Sequence, residues 1–317
     1  MRKTGLFLAS IALSATLWAE LPEKKGLDVI NRANAEAYIG FLASDALEGR
    51  EAGFRGGRIA GEYIVSNLKT MGIEPLFESY YQPFEAYNKE RQKKGRFQVH
   101  PDSIAKLKQG VHQKLSMNNI LGKIEGKNPN EYVIIGAHYD HLGFDPMLDG
   151  DRVYNGADDN ASGVSAVLQV AKAFLATGVQ PERTVIFAFW DGEEKGLLGS
   201  KYFVQTFLEM DKVKGYLNYD MIGRNKDESK PMHVVYFYTE AHPVFGDWLK
   251  NDIKKYGLNL TPDYRPWDKP VGGSDNASFA LLDIPVIWYH TDGHPDYHMP
   301  SDHVETVSYT HLRAHET

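Results

Sequence analysis

The sequence has 317 residues, of which 42% are hydrophobic and 24% are charged, and its formal net charge is -7. This composition predicts an ordinary globular protein with a full core, and it provides no basic surface for nucleic acid or for an anionic membrane. The chain contains no cysteine, which excludes disulfides, thiolate catalysis and cysteine-ligated metals, so a metal site can use only histidine, aspartate and glutamate.

The first 19 residues have the pattern of a secretory signal peptide. Arg2 and Lys3 precede an apolar run that ends at Trp18 and is too short for a comfortable membrane span, and the small residue Ala19 follows. We therefore expect cleavage after Ala19 and export to the periplasm or the extracellular medium, without stable membrane association. Residues 20–307 are expected to form one domain.

This domain begins with helical patterns. Residues 35–50 and 56–73 carry apolar side chains at helical spacing on either side of a glycine-rich loop, which predicts two helices packed on a sheet. From Tyr80 to Met117 the chain is polar and weakly patterned. We expect this stretch, including the cationic run 89–96, to be a surface excursion with some strand content.

Strand and helix patterns alternate in the following segments. Apolar runs of strand length occupy 118–126 and 132–140, and a helix-like segment, 162–178, precedes another strand, 184–190. This order predicts a βαβ unit, in which parallel strands are covered on both faces. The predicted fold is therefore α/β, a single domain with a central mixed, mostly parallel sheet and helices on both faces. Further strand patterns lie at 213–223, 233–239 and 284–290.

Ionisable side chains follow each central strand. Because the carboxyl ends of parallel strands share one edge of a sheet, we expect these side chains to meet there. One such residue alone is most simply a hydrogen-bonded loop residue, but the repeated occurrence indicates a metal site. The residues concerned are His138, Asp140, Asp158, Asp159, Glu193, Glu194, Asp220, His290, His294 and His298.

Glu193 and Glu194 require a compensating cation, because neighbouring carboxylates repel each other and are costly to desolvate. Two zinc ions that share one carboxylate and take two further protein ligands each would need five ligands, and the five segments can each supply one. Adjacent side chains do not easily reach the same metal. We therefore expect one glutamate to bind a metal and the other to be the general base for a water that bridges the two ions.

The motifs that carry these residues occur in a fixed order, "GAHYDHLG", "YNGADDNASGV", "FWDGEEKGLLGS", "NYDMIGR" and "HPDYHMPSD". Together they resemble the dizinc aminopeptidase family of exported metallo-exopeptidases, and the upstream "FLASDALEGREAG" is similar to its bacterial members. The resemblance implies hydrolysis of N-terminal peptide bonds with two zinc ions per chain. The implied substrates are peptides with a free amino terminus, and the protein is expected to be a monomer.

The resemblance also implies a role for each matching residue. His138 and Asp220 would bind one zinc, Glu194 and His298 would bind the other, and Asp159 would bridge them, with a cis peptide bond after it. The remaining implied roles are catalytic: Glu193 as general base, Tyr297 as hydrogen-bond donor to the oxyanion, and Asp140 as the carboxylate that orients a metal-bound imidazole.

Spacing alone leaves two choices open. It does not select between Asp158 and Asp159, and it does not select among His290, His294 and His298. Both choices rest on the resemblance. The residues that it leaves out are expected to have capping or turn roles.

Three related functions compete with this interpretation. Deacylases and carboxypeptidases share the ligand order but insert a dimerisation domain, for which the 78 positions from Asp220 to His298 leave little room (298 minus 220). Glutaminyl cyclases bind a single zinc, and receptor-like relatives would have lost ligands. A carboxypeptidase also needs a cation for the substrate carboxylate, and the nearest candidates are Arg152 and Arg224. An aminopeptidase could use spare carboxylates such as Asp158, Asp302 or Glu193 for the substrate amine.

The end of the sequence differs from the resembling proteins, which continue into an amphipathic helix. Residues 308–317, "SYTHLRAHET", lack an apolar pattern. We expect these residues to be a non-native tail on a domain truncated at its C-terminal helix.

Overall fold

The computed structural model describes residues 21–89, 96–227, 229–267 and 273–309. The predicted signal peptide, most of the cationic run and residues 310–317 of the predicted tail lie outside the described residues, so these interpretations stay predictions. Within the described ranges, every helix is too short or too polar to cross a bilayer.

A mixed sheet of nine strands forms the centre of the described structure. Its strands are β1 (Glu74–Pro75), β2 (Tyr81–Lys89), β3 (His112–Ile124), β4 (Asn128–His138), β7 (Arg183–Trp190), β8 (Val213–Tyr219), β9 (His233–Tyr238), β10 (Thr261–Pro266) and β11 (Val286–His290). A separate two-stranded sheet consists of β5 (Gly143–Phe144) and β6 (Val153–Tyr154).

The middle of the nine-stranded sheet is parallel. Strands β7, β4, β8 and β11 lie side by side in this order and run in the same direction. Strand β3 is antiparallel to β7, and β9 is antiparallel to β11 but parallel to β10. The predicted mixed α/β sheet is confirmed, with its parallel character concentrated in the four central strands that present one common carboxyl edge.

The stretch that begins at Tyr80 is more regular than the sequence suggests. Strand β2 pairs antiparallel with β3 along nine register positions, from Tyr81 to Lys89. Phe84 and Ala86 on this strand are buried with Met117 in a small apolar cluster. The prediction of a surface excursion is therefore wrong for 81–89, because Phe84 and Ala86 are buried by contacts with residues of the paired strand β3, which lies more than 20 residues later in the sequence.

Helices cover both faces of the sheet, as predicted. Successive residues of a strand point to opposite faces, and Ile134 and Ile135 of β4 accordingly belong to two different apolar clusters. The larger cluster contains side chains of the helices that precede β1 and follow β6, and the other contains Phe203 and Phe279. The described helices are α1 (Pro22–Val29), α2 (Arg32–Leu42), α3 (Arg55–Met71), α4 (Pro101–Leu107), α5 (Gly163–Thr177), α6 (Leu198–Thr206), α7 (Val244–Lys255) and α8 (Asn276–Ala280).

The predicted helix over 35–50 is divided in two. Helix α2 ends at Leu42, and a short 3-10 segment, Asp45–Arg50, leads to α3. The side chain of Asn31 caps α2 by accepting a hydrogen bond from the amide of Asn34 at 2.9 Å. Left-handed backbone at Glu48, Gly49 and Arg50 interrupts the helical path, so the chain turns back toward the edge where the parallel strands end.

Candidate metal centre

The predicted site residues converge at the carboxyl edge of the parallel strands. His138 is the last residue of β4, Asp220 directly follows β8, and Glu193 and Glu194 follow β7 after a two-residue turn. Asp159 lies in the loop that precedes α5, and His298 lies in the loop after β11. These segments are distant in sequence, and parallel strand order brings them together.

The first cluster consists of His138, Asp159 and Asp220, all of which are buried. Nε2 of His138 lies 3.2 Å from Oδ1 of Asp159 and 3.5 Å from Oδ1 of Asp220. One nitrogen and two carboxylate oxygens thus surround a single point.

The second cluster consists of Asp159, Glu194, His298 and His141. Nε2 of His298 lies 3.2 Å from Oδ2 of Asp159 and 3.2 Å from Oε2 of Glu194. Nδ1 of His141 lies 2.8 Å from the other oxygen of Glu194, Oε1, and 3.9 Å from Oδ2 of Asp159. Asp159 therefore belongs to both clusters and presents a different oxygen to each.

His141 was not singled out in the sequence. It is the second histidine of "HYDH", three residues after His138, and that spacing alone does not show which way its ring points. Its amide donates to the carbonyl of Arg50 at 3.2 Å, and this contact fixes the backbone beside the second cluster. Nε2 of His141 is buried and has no hydrogen-bond partner among the described residues.

The loop that carries Asp159 is fixed by backbone contacts. The carboxylate of Asp302 accepts hydrogen bonds from the amides of Asp158 and Asp159, each at 3.0 Å. The peptide bond between Asp159 and Asn160 is cis, as the resemblance implied. The side-chain amide of Asn160 donates to the carbonyl of Tyr219 at 2.9 Å, which joins this loop to the end of β8.

Asp140 contacts the turn that carries the two glutamates as well as His138. Its carboxylate accepts hydrogen bonds from the amides of Glu193 at 3.0 Å and Glu194 at 3.3 Å. Nδ1 of His138 lies closer to the backbone carbonyl of Asp140, at 3.1 Å, than to its carboxylate, at 3.7 Å. The carboxylate therefore holds the amides of the two glutamates, and both the carbonyl and the carboxylate of Asp140 face Nδ1 of His138.

The two adjacent glutamates have opposite electrostatic environments. Burial, reinforced by the charge of Glu194, raises the pKa of Glu193 well above its ordinary value. Burial also disfavours the charged form of Glu194, but hydrogen bonds from His141 and His298 outweigh it and lower the pKa of Glu194. Such a division of pKa values between neighbours is typical of a base paired with a permanently charged ligand.

Asp159 and its histidine partners stabilise each other's charges. Burial works against the ionised Asp159, yet hydrogen bonds from His138 and His298 hold its pKa well below the ordinary range. Burial likewise opposes protonation of His298, but Asp159 and Glu194 raise the pKa of His298 to about 10. The carboxylates thus favour positive charge at this position. Imidazole nitrogen and carboxylate oxygen are also the donors that zinc takes where cysteine is absent, so the residues fit the predicted metal.

A cavity of about 230 Å³ opens onto the two clusters. Glu193 lines it together with the aromatic ring of Trp288 and with His290. Tyr297 lies at the rim, 45% exposed, and its ring stacks on His298 with centroids 3.9 Å apart. Burial and the charge of Asp159 raise the pKa of Tyr297, so its phenol keeps its proton at neutral pH.

The residues that the resemblance left out form supporting contacts. Oδ1 of Asp158 accepts from the amide of Gly223 at 2.6 Å, and its other oxygen lies 3.2 Å from Nε2 of His294. Nδ1 of His290 lies 2.7 Å from the carbonyl of Asp220. Asp158 and Asp302 are fully buried, and neither lines the cavity described above.

Residues 119–317 match the model of Peptidase family M28. The chain belongs to peptidase family M28. The resemblance deduced from the motifs is therefore confirmed at the level of the family. Leupeptin-inactivating enzyme 1 of Streptomyces exfoliatus is 34% identical over 170 residues, which cover 53% of this chain and 34% of that protein. The M28 chain thus spans about a third of that relative's length.

Solved structures share the fold of the M28 chain. A zinc aminopeptidase from Bacillus subtilis superposes with a TM-score of 0.66 at 17% identity, covering 94% of each chain. A glutaminyl cyclase from Porphyromonas gingivalis gives a TM-score of 0.62 at 16% identity, covering 91% of this chain and 96% of the cyclase. Identities this low establish the fold alone, so the reaction must be argued from the site.

Proposed function

We propose that this protein is an aminopeptidase that hydrolyses N-terminal peptide bonds with two zinc ions. The observation that carries the proposal is the position of Asp159, whose Oδ1 faces His138 and whose Oδ2 faces His298. A carboxylate that presents one oxygen to each of two ligand sets is suited to bridge two ions. The ligands would be His138 and Asp220 for one ion and Glu194 and His298 for the other.

The chain's own residues can perform the acid and base steps. Zinc ions, when bound, supply Lewis-acid chemistry and lower the pKa of water. Glu193 accepts the proton of the attacking water and delivers it to the leaving amine, because its raised pKa makes it a stronger base than an ordinary carboxylate. Tyr297 donates its phenolic hydrogen to the oxygen of the scissile carbonyl as negative charge develops there.

Charges around the cavity favour an amine over a carboxylate as the recognised end of the substrate. Of the acidic residues that line the cavity, Asp159 and Asp220 are the proposed zinc ligands, which leaves the carboxylate of Glu193 to face the substrate. Arg224 is bound to Asp296, and the exposed Arg152 donates to the carbonyl of Leu148 at 2.7 Å. Neither arginine lines the cavity, which supports an aminopeptidase rather than a carboxypeptidase. With the predicted signal peptide, the monomeric enzyme would act on exported or extracellular peptides.

The test compares four kinds of substrate and measures the metal content of the purified protein. We expect close to two zinc equivalents, hydrolysis of aminoacyl anilides, and no hydrolysis of their N-acetylated forms. Chelation should abolish hydrolysis, and added zinc should restore it. One zinc equivalent together with cyclisation of N-terminal glutamine would overturn the proposal in favour of a cyclase. Release of C-terminal residues from N-blocked peptides would instead show a carboxypeptidase.

A further inference from the structure

Arg50 is an arginine buried beneath the metal centre. Its side chain is 1% exposed and forms no ion pair with any described residue. Instead, Nε donates to the carbonyl of Tyr139 at 2.9 Å and Nη2 donates to that of Gly156 at 2.9 Å. Nη1 donates to the carbonyls of Leu42 and Asn155, both at 2.6 Å. A planar guanidinium can hold four carbonyls in fixed directions, which a lysine ammonium cannot.

Three of these carbonyls belong to the loops that carry the predicted ligands. Tyr139 is the residue between His138 and Asp140, so its carbonyl moves with both. Gly156 lies at the start of the turn that contains Asp159. The guanidinium therefore connects the loop that follows β4 to the loop that precedes α5. These two loops supply the imidazole and the carboxylate that lie 3.2 Å apart in the first cluster.

The backbone around Arg50 is shaped to bring the side chain to this position. Gly49 has a left-handed φ of 65°, and a Cβ atom there would lie 2.2 Å from the carbonyl oxygen of Gly143. The turn is thus packed directly against the segment that follows His141. The carbonyl of Arg50 also accepts the amide hydrogen of His141 at 3.2 Å, so Arg50 contacts the second cluster directly at His141 and the loops of the first cluster through its side chain.

The charge of Arg50 suits the same position. Burial lowers the pKa of Arg50 to about 10, and the carboxylates of Asp159 and Asp302 oppose this decrease. The guanidinium therefore remains a cation at neutral pH. A buried cation without partners is costly, and here four carbonyl oxygens solvate the guanidinium.

We propose that Arg50 is a positioning residue for the zinc pair. By holding their carbonyls, Arg50 sets the spacing of the two ligand loops. This inference rests on the proposed function for the presence of zinc. It extends the site to the segment 45–50, which lies outside the residues that match the family model. Arg50 touches neither substrate nor metal in this scheme.

The test measures zinc affinity by competition with a chelator in Arg50→Lys and Arg50→Gln. Because loss of supporting contacts around ligands typically lowers metal affinity by about 10- to 100-fold, we expect Arg50→Lys to lose at least about tenfold and the cobalt-substituted protein to show an altered visible spectrum. Arg50→Lys keeps the charge and is the variant to use if Arg50→Gln does not fold. Leu249→Ala is the matched control, because Leu249 is a buried residue of α7 whose apolar cluster contains no residue of these loops, so its loss lowers stability away from the site.

The outcomes separate positioning from general stability. The inference predicts that Arg50→Lys loses zinc affinity even when its metal-free melting temperature is no lower than that of Leu249→Ala. Wild-type affinity and an unchanged cobalt spectrum in Arg50→Lys would overturn it, since Arg50 would then act on stability alone. A wild-type protein that takes up no zinc would instead overturn the proposed function.

Discussion

Nδ1 of His141 lies 2.8 Å from Oε1 of Glu194, and His298 approaches the other oxygen of the same carboxylate at 3.2 Å. The two oxygens of Glu194 thus have different imidazole partners. The two rings lie 5.8 Å apart in an edge-to-face arrangement. Both contacts favour the ionised carboxylate, and the orientation of this proposed ligand depends on a residue outside the predicted ligand set.

The first prediction concerns His141. Its replacement by alanine removes the hydrogen bond that orients Glu194, and we expect the affinity for the second zinc ion to fall by about tenfold or more. Zinc titration with a competing chelator would measure this loss. His112→Ala provides the control, because His112 is at the start of β3 and away from both clusters. Equal affinities in His141→Ala and the wild type would show that Glu194 is oriented without His141.

The second prediction separates Glu193 from Glu194. Glu194→Gln removes a charged ligand, so zinc affinity should fall, whereas Glu193→Gln removes only the base. We expect Glu193→Gln to retain both zinc ions while kcat falls by about two orders of magnitude or more. Metal analysis and steady-state kinetics on the same preparations provide the measurement. If the two variants lose zinc to the same extent, the assigned division of roles is wrong.

The motif residues that the sequence indicated lie close together in the structure, whereas local pattern was wrong for part of the fold. The strand and helix pattern indicated the parallel centre, and parallel strand order is enough to predict that His138, Glu194 and Asp220 share an edge. Local pattern failed for β2, where polar residues alternate with Phe84 and Ala86 and the partner strand begins more than 20 residues later. Whether such a strand forms depends on its pairing with a distant segment, and composition does not reveal that pairing.

The sequence also did not indicate the direction in which these side chains point. His141 and Asp140 occur in one short motif, but which of their atoms face the clusters depends on the course of the chain after β4. The loop turns so that the Asp140 carboxylate reaches the amides of Glu193 and Glu194, and the carbonyl is left to contact His138. Spacing within a motif constrains such contacts only in a regular helix or strand.

The third prediction concerns Tyr297. Tyr297→Phe keeps the ring that stacks on His298 but removes the phenolic hydrogen, so the metal site should be retained. If the phenol stabilises the developing oxyanion, kcat should fall by about 100-fold with little change in KM. The kinetic constants for an aminoacyl anilide, measured at full zinc occupancy, provide the test. A change in KM alone would indicate that Tyr297 contributes to substrate binding instead.

The last prediction concerns the ion pair of Arg265 and Asp292, which holds the loop beyond β11. Nη1 and Nη2 of Arg265 donate to the two oxygens of Asp292, both at 2.9 Å, and these hydrogen bonds lower the pKa of Asp292. A carboxylate whose pKa is lower in the folded state adds stability above its unfolded pKa of about 3.9, and this contribution is lost as the pH falls through the folded value. Both side chains are about a third exposed, so the pair contributes about 1 kcal/mol or less.

Asp292→Asn should therefore lower the free energy of unfolding at neutral pH by up to about 1 kcal/mol. The difference from the wild type should shrink at about pH 3, where Asp292 approaches the uncharged state that asparagine mimics. Urea unfolding at the two pH values gives the comparison, and Asp102→Asn is the control, since the Asp102 side chain is 85% exposed. A difference that stays constant with pH would mean that Asp292 stabilises the loop through its shape and not through its charge.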